Sequence, residues 1–145
     1  TVCFAVYNGV AALVAFFFPV FPKRTSRKWT HAICSLIGAV GLVSIYFITE
    51  PLWLLLPMGA VGFAWASILS MPYAILTGSL PSDKMGYFMG VFNFFIVIPQ
   101  IVAASILGFV LGRFFGEEAI YALFIGGVSF VLAAVLTLWV KDVDA

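Results

Sequence analysis

Five stretches of the chain, 2–22, 29–49, 51–81, 86–112 and 119–140, run without a single Asp, Glu, Lys or Arg. A helix needs about 20 apolar residues to cross the hydrocarbon core of a bilayer, and all five reach that length. The chain as a whole is 64% hydrophobic and 9% charged. Soluble domains carry roughly 25% charged residues, so this chain cannot cover a globular surface in water. Transmembrane strands would alternate polar and apolar residues over about 10 positions. Here the runs are continuous, which predicts an all-α integral membrane bundle of five transmembrane helices. The third and fourth spans exceed one crossing, so their ends are expected to project or tilt.

Charge between the spans sets orientation. Lys23, Arg24, Arg27 and Lys28 lie between spans one and two, Lys84 between three and four, and Lys141 after five. Those segments fall on one side, and Glu50, Arg113, Glu117 and Glu118 on the other. Lysine and arginine mark the cytoplasmic side. The N-terminus of the chain is then expected outside and the C-terminus in the cytoplasm, in the plasma or inner membrane. Thr1 opens directly into an apolar run with no basic leader or cleavage site of a signal peptide, so the chain is expected to be a piece of something longer. A net charge of +1 points to no nucleic-acid partner. Cys3 and Cys34 sit in apolar runs without ligand spacing and read as packed thiols.

The polar residues inside the spans carry the functional reading. Span three places Ser70, Tyr73 and Thr77 at i, i+3 and i+7, one stripe of a helix, with Trp65 on about the same face. Span four places Asn93 and Gln100 at i and i+7. Pro72 and Pro99 interrupt the two spans, and each removes one backbone donor. Such hydroxyls either bond their own backbone or face a pathway. Two amides on one face are costly in lipid and are expected to point into protein or water. Tyr7 and Asn8 of span one are weaker candidates, for helix packing or for pathway lining. His31, two residues past Trp29, reads as a solvated interfacial residue rather than a proton relay, since no acid lies beside it in sequence. Gly38 and Gly41 allow close helix approach, and Ala104, Gly108 and Gly112 read as a packing seam. Span five is nearly all apolar and is expected to be peripheral, facing lipid. Ala5-Val6-Tyr7-Asn8 and Gly90-Val91-Phe92-Asn93 share a small-Val-aromatic-Asn pattern in helices of opposite direction. An inverted repeat of three helices would produce that.

Ser70-Met71-Pro72-Tyr73-Ala74, Met89-Gly90-Val91-Phe92-Asn93 and Ile96-Val97-Ile98-Pro99-Gln100 together resemble the sucrose- and maltose-type transporters. These form the glycoside–pentoside–hexuronide cation symporter branch of the major facilitator superfamily. The core from Phe92 to Gln100 is similar to that family's eleventh helix. The resemblance implies that residues 1–145 are the C-terminal part of a twelve-helix carrier, with spans one to five as helices eight to twelve. It implies that spans one, three and four line the cavity while two and five lie outside. The family's loop signature has an Asp and a Gly that Lys23-Arg24-Thr25-Ser26-Arg27-Lys28 lacks. That loop reads either as a topology and headgroup element or as a cytoplasmic latch.

The expected function is secondary active transport, proton-coupled symport of a sugar such as sucrose or maltose, by alternating access. Trp65, Ser70, Tyr73, Thr77, Asn93 and Gln100, with Asn8 and Tyr7, would meet the sugar. The coupling carboxylate would belong to an N-terminal portion, since these spans contain none. The alternatives are a carrier of another glycoside or a lipid on the same fold, and a membrane sensor that binds a solute without moving it. No nucleophile–base pair or metal set is present in the sequence, so neither an enzyme nor a cofactor is expected.

Overall fold

The computed structural model describes residues 2–20, 25–116 and 118–142. Lys23 and Arg24 of the basic loop, Glu117, and residues 143–145 of the tail lie outside them. The described residues form five helices: α1 (Val2–Phe17), α2 (Arg27–Ile45), α3 (Leu55–Gly78), α4 (Met85–Phe114) and α5 (Ala119–Leu138). No strand occurs among them. Arg27–Ile45, Pro51–Gly78, Ser82–Phe114 and Ala119–Leu138 are each long and apolar enough to cross a membrane. Helix α1 is as apolar but has 16 residues.

Local chemistry fixes the ends of these helices. Ser26 is extended, at φ −143° and ψ 165°, and its Oγ accepts the Trp29 N–H at 3.4 Å. That is an N-cap, and α2 therefore begins at Arg27, inside the basic loop. Pro51 opens a short 3-10 turn, Pro51–Leu54, which feeds α3. Gly116, at φ +59°, makes the turn that follows α4. Helices α3 and α4 run without a break through Pro72 and Pro99.

Helix α3 is the centre of the bundle. It packs against α1 on one side and α2 on the other, and α5 lies on the far side of α2. Glycine permits each close approach. A methyl group at Gly41 would lie 2.8 Å from the Pro57 carbonyl oxygen, and one at Gly62 would lie 2.7 Å from that of Tyr7. Gly38 faces Ala64 and Phe130, and Gly127 faces Val43. Without a hydrophobic force between helices in lipid, such close contact supplies the attraction. The core is small and formed by Ala11, Val14, Phe18, Cys34, Ala66 and Met71.

Two expectations about packing change. Span five does meet open surface with Leu132 and Leu136, but Gly127 and Ala134 are buried against the bundle. Span four is the more open helix, with no buried residue. Its small-residue ridge is not a seam within this chain. Gly108 and Gly112 have nothing within 4 Å, and Ala104 is exposed.

The outer surface is apolar. Phe16, Leu52 and Trp139 are all more than three-quarters exposed, at 80%, 76% and 79%. Trp29 and Trp139 stand exposed at one end of the bundle and Trp53 at the other. Tyr46 and Phe115 gather around Tyr121 at the same end as Trp53, at ring distances of 6.4 and 4.7 Å. Aromatic belts at both ends of an apolar helical body are the signature of a membrane protein.

Candidate functional site

Most hydroxyls in the helices turn back on their own backbone. Ser105 bonds the Ile101 carbonyl, Ser129 that of Ile125 and Thr137 that of Ala133. A hydroxyl satisfied this way can sit in lipid at little cost. Thr77 does the same, donating to the Tyr73 and Ala74 carbonyls at 2.9 and 3.2 Å, though it lies on the exposed side of α3. Asn8 donates its amide to the Phe4 carbonyl at 2.8 Å. For these two residues the self-contained arrangement is the one adopted.

Tyr73 and Asn93 behave differently. The Tyr73 hydroxyl donates to Asn93 Oδ1 at 3.1 Å, from α3 to α4. The Tyr73 ring also meets Phe92 edge-on, with centroids 5.2 Å apart. This junction ties the open helix α4 to the bundle. A tyrosine on an apolar face needs a partner for its hydroxyl, and an asparagine one position past Phe92 supplies the acceptor. Asn93 Nδ2 and the whole amide of Gln100 have no partner among the described residues, and both side chains are exposed. Ser70 is half-buried and also without a partner there.

Tyr7 and Trp65 make a second aromatic pair, with ring centroids 5.9 Å apart. Trp65 remains 39% exposed, enough to offer an edge of the indole to another molecule. The two echoed sequence patterns thus do the same thing. Tyr7 of α1 docks on Trp65 of α3, and Phe92 of α4 docks on Tyr73 of α3. Tyr7 also lines an apolar cavity of about 440 Å³ with Cys3, Phe4 and Leu42. The expected site residues therefore fall into two pairs on α3; of these residues Thr77 bonds only the backbone carbonyl of Tyr73, and Ser70, Gln100 and Asn8 are bonded to none of them.

Two polar contacts have no local signal in the sequence. His31 is not solvated. It is 8% exposed, and its Nδ1 lies 2.7 Å from Oγ of Ser67, itself fully buried in α3. Indole Trp29 beside it does stay exposed. The partners are 36 residues apart, and only the packing of α2 on α3 joins them. At the start of α2, the Arg27 backbone N–H donates to Asp142 Oδ2 at 3.1 Å, and the Arg27 guanidinium donates to the Ala74 carbonyl at 3.1 Å. A carboxylate at a helix N-terminus and a cation at a helix C-terminus both complement the helix dipoles. The described part of the basic loop is thus held by α3 and by Asp142.

Comparison with protein-family models, with curated proteins and with solved structures gives no match.

Proposed function

We propose that this chain is the C-terminal part of a secondary active transporter that carries a sugar, a disaccharide such as sucrose or maltose, by proton-coupled symport and alternating access. One observation supports the reading above others. The amides of Asn93 and Gln100 lie on one face of α4, exposed and with donors unpaired among the described residues, where Thr77, Ser105, Ser129 and Thr137 are each bonded to their own backbone. An unpaired amide in hydrocarbon costs several kcal/mol, on the order of 4–8 against a solvent that cannot hydrogen-bond. Water or a polar solute on that face removes the cost. Amides and a tyrosine hydroxyl suit sugar hydroxyls, and the exposed edge of Trp65 suits the apolar face of a sugar ring. Proline in both helices frees one carbonyl in each and allows bending.

Counterflow in proteoliposomes tests the reading. Vesicles holding the full-length protein and loaded with unlabelled sucrose or maltose are expected to accumulate the labelled sugar transiently. A sensor that binds without moving its solute gives no counterflow, and that result would remove the carrier reading. Counterflow with another glycoside and with neither disaccharide would keep the carrier and replace its substrate.

A further inference from the structure

We infer that His31, held by Ser67, is a proton-binding site of this protein, reached through a cavity between α2, α3, α4 and α5. The inference rests on the carrier reading and deepens it by placing a proton group inside this chain. The helical spans contain no Asp, Glu, Lys or Arg away from their ends, and His31 is the chain's one histidine. Imidazole is the side chain whose charge changes in the physiological range.

The geometry accommodates both protonation states. Nδ1 is engaged by Ser67 Oγ at 2.7 Å. A serine hydroxyl both donates and accepts, so it can donate to a bare Nδ1 or accept from Nδ1–H. Nε2 has no hydrogen-bond partner among the described residues and is not sealed from solvent. The ring lines a cavity of about 290 Å³ together with Pro72, Ser79, Phe92, Thr137 and Lys141. Ser79 follows the last residue of α3 and Lys141 lies three residues past the end of α5, so the cavity reaches the end of the bundle that carries the basic loop. Water fits in such a volume.

The step is simple. In the neutral tautomer that carries Nδ1–H, that group donates to Ser67 and the Nε2 lone pair is free to take a proton. A proton delivered by water binds that lone pair, the water is left one proton poorer, and Nδ1–H keeps its bond to Ser67. No bond between heavy atoms changes. The charged form has few partners. On α2 itself Arg27 and Lys28 lie one turn earlier and Cys34 one turn later. Helices α1 and α3 present no charged side chain, α4 presents Phe92, and the end of α5 presents Thr137, with Lys141 and Asp142 beyond it. No carboxylate is bonded to the ring among the described residues. The imidazolium is therefore held by Ser67 at Nδ1 and by water in the cavity at Nε2, and a change in that solvation moves the proton. Alternating access would supply such a change.

The test separates proton movement from sugar movement in the full-length protein. An inward gradient of one pH unit supports up to about tenfold accumulation when one proton accompanies each sugar. H31Q keeps the size of the side chain and one donor for Ser67 but does not titrate. It is expected to retain counterflow of labelled sucrose or maltose and to lose gradient-driven accumulation, from about tenfold to about onefold. Full accumulation by H31Q overturns the inference and leaves the carrier standing. Loss of both activities in folded H31Q also overturns it, by assigning His31 to the sugar path. Absence of counterflow in the unaltered protein removes the carrier reading instead. S67A provides a second variant should H31Q not fold. It is expected to accumulate sugar with a displaced pH midpoint, and an unmoved midpoint counts against the site.

Discussion

Gly62→Ala is expected to destabilise the bundle by about 1–3 kcal/mol, the usual cost of overpacking a close-packed interior. The added methyl would stand 2.7 Å from the Tyr7 carbonyl oxygen, 3.0 Å from Val10 Cβ and 3.2 Å from the Ala11 backbone nitrogen. Two of these atoms belong to the backbone of α1, so no rotamer change relieves the clash. Helix α1 must move away from α3, and the Tyr7–Trp65 pair opens with it. The sign is informative, because alanine favours a helix over glycine by about 1 kcal/mol. Gly112→Ala supplies the contrast. Nothing lies within 4 Å of Gly112, so within this chain the substitution is expected to be neutral or stabilising by up to about 1 kcal/mol. Thermal unfolding in detergent reads both. A G62A protein that melts no lower than the unaltered one would show that α1 and α3 are not packed as described.

Asn93→Ala is expected to reduce sugar uptake by about tenfold or more, equivalent to roughly 1.4 kcal/mol. The change removes the acceptor of the Tyr73 hydroxyl and the free Nδ2 donor together. Losing a partner and leaving a polar group unsatisfied costs about 1–3 kcal/mol. Tyr73→Phe removes the other half of the same bond while keeping the ring on Phe92. The double variant should therefore be less impaired than the sum of the single ones, with a coupling of about 0.5–3 kcal/mol. Uptake by N93A at the unaltered level would take Asn93 out of the site. Strict additivity would mean that the bond between α3 and α4 has no role in transport.

The helices themselves were legible because the bilayer imposes length and removes charge. The spans read at 29–49 and 119–140 correspond to Arg27–Ile45 and Ala119–Leu138. The shift at the start of α2 comes from Ser26, whose cap lets the helix begin among basic residues that hydropathy assigns to a loop. Gly38 and Gly41 were legible as contact glycines, but Ala104, Gly108 and Gly112 have the same pattern and touch nothing here. Spacing shows that a face is smooth and leaves open whether another helix covers it. Polar pairing was less legible. Periodicity placed Tyr73 and Asn93 on suitable faces, yet the bond between them depends on how two helices cross. His31 was misjudged for a related reason. Its position near Trp29 and the basic loop resembles an interface, and only the burial of Ser67 reveals that this side of α2 faces protein.

Thiol accessibility examines the wet face of α4 most directly. Asn93→Cys, Gln100→Cys and Leu132→Cys would be made singly in the full-length protein, with Cys3 and Cys34 replaced by serine and alanine. All three positions are exposed in the structure, so steric access does not distinguish them. The thiolate attacks a charged thiol reagent, and it forms only where water reaches it. In membranes the cysteines at 93 and 100 should react with a water-soluble, charged reagent and be slowed by sucrose or maltose, while the one at 132 stays unmodified. Should the first two prove as inert as the third, the amides face lipid or packed protein, and no sugar path runs along α4.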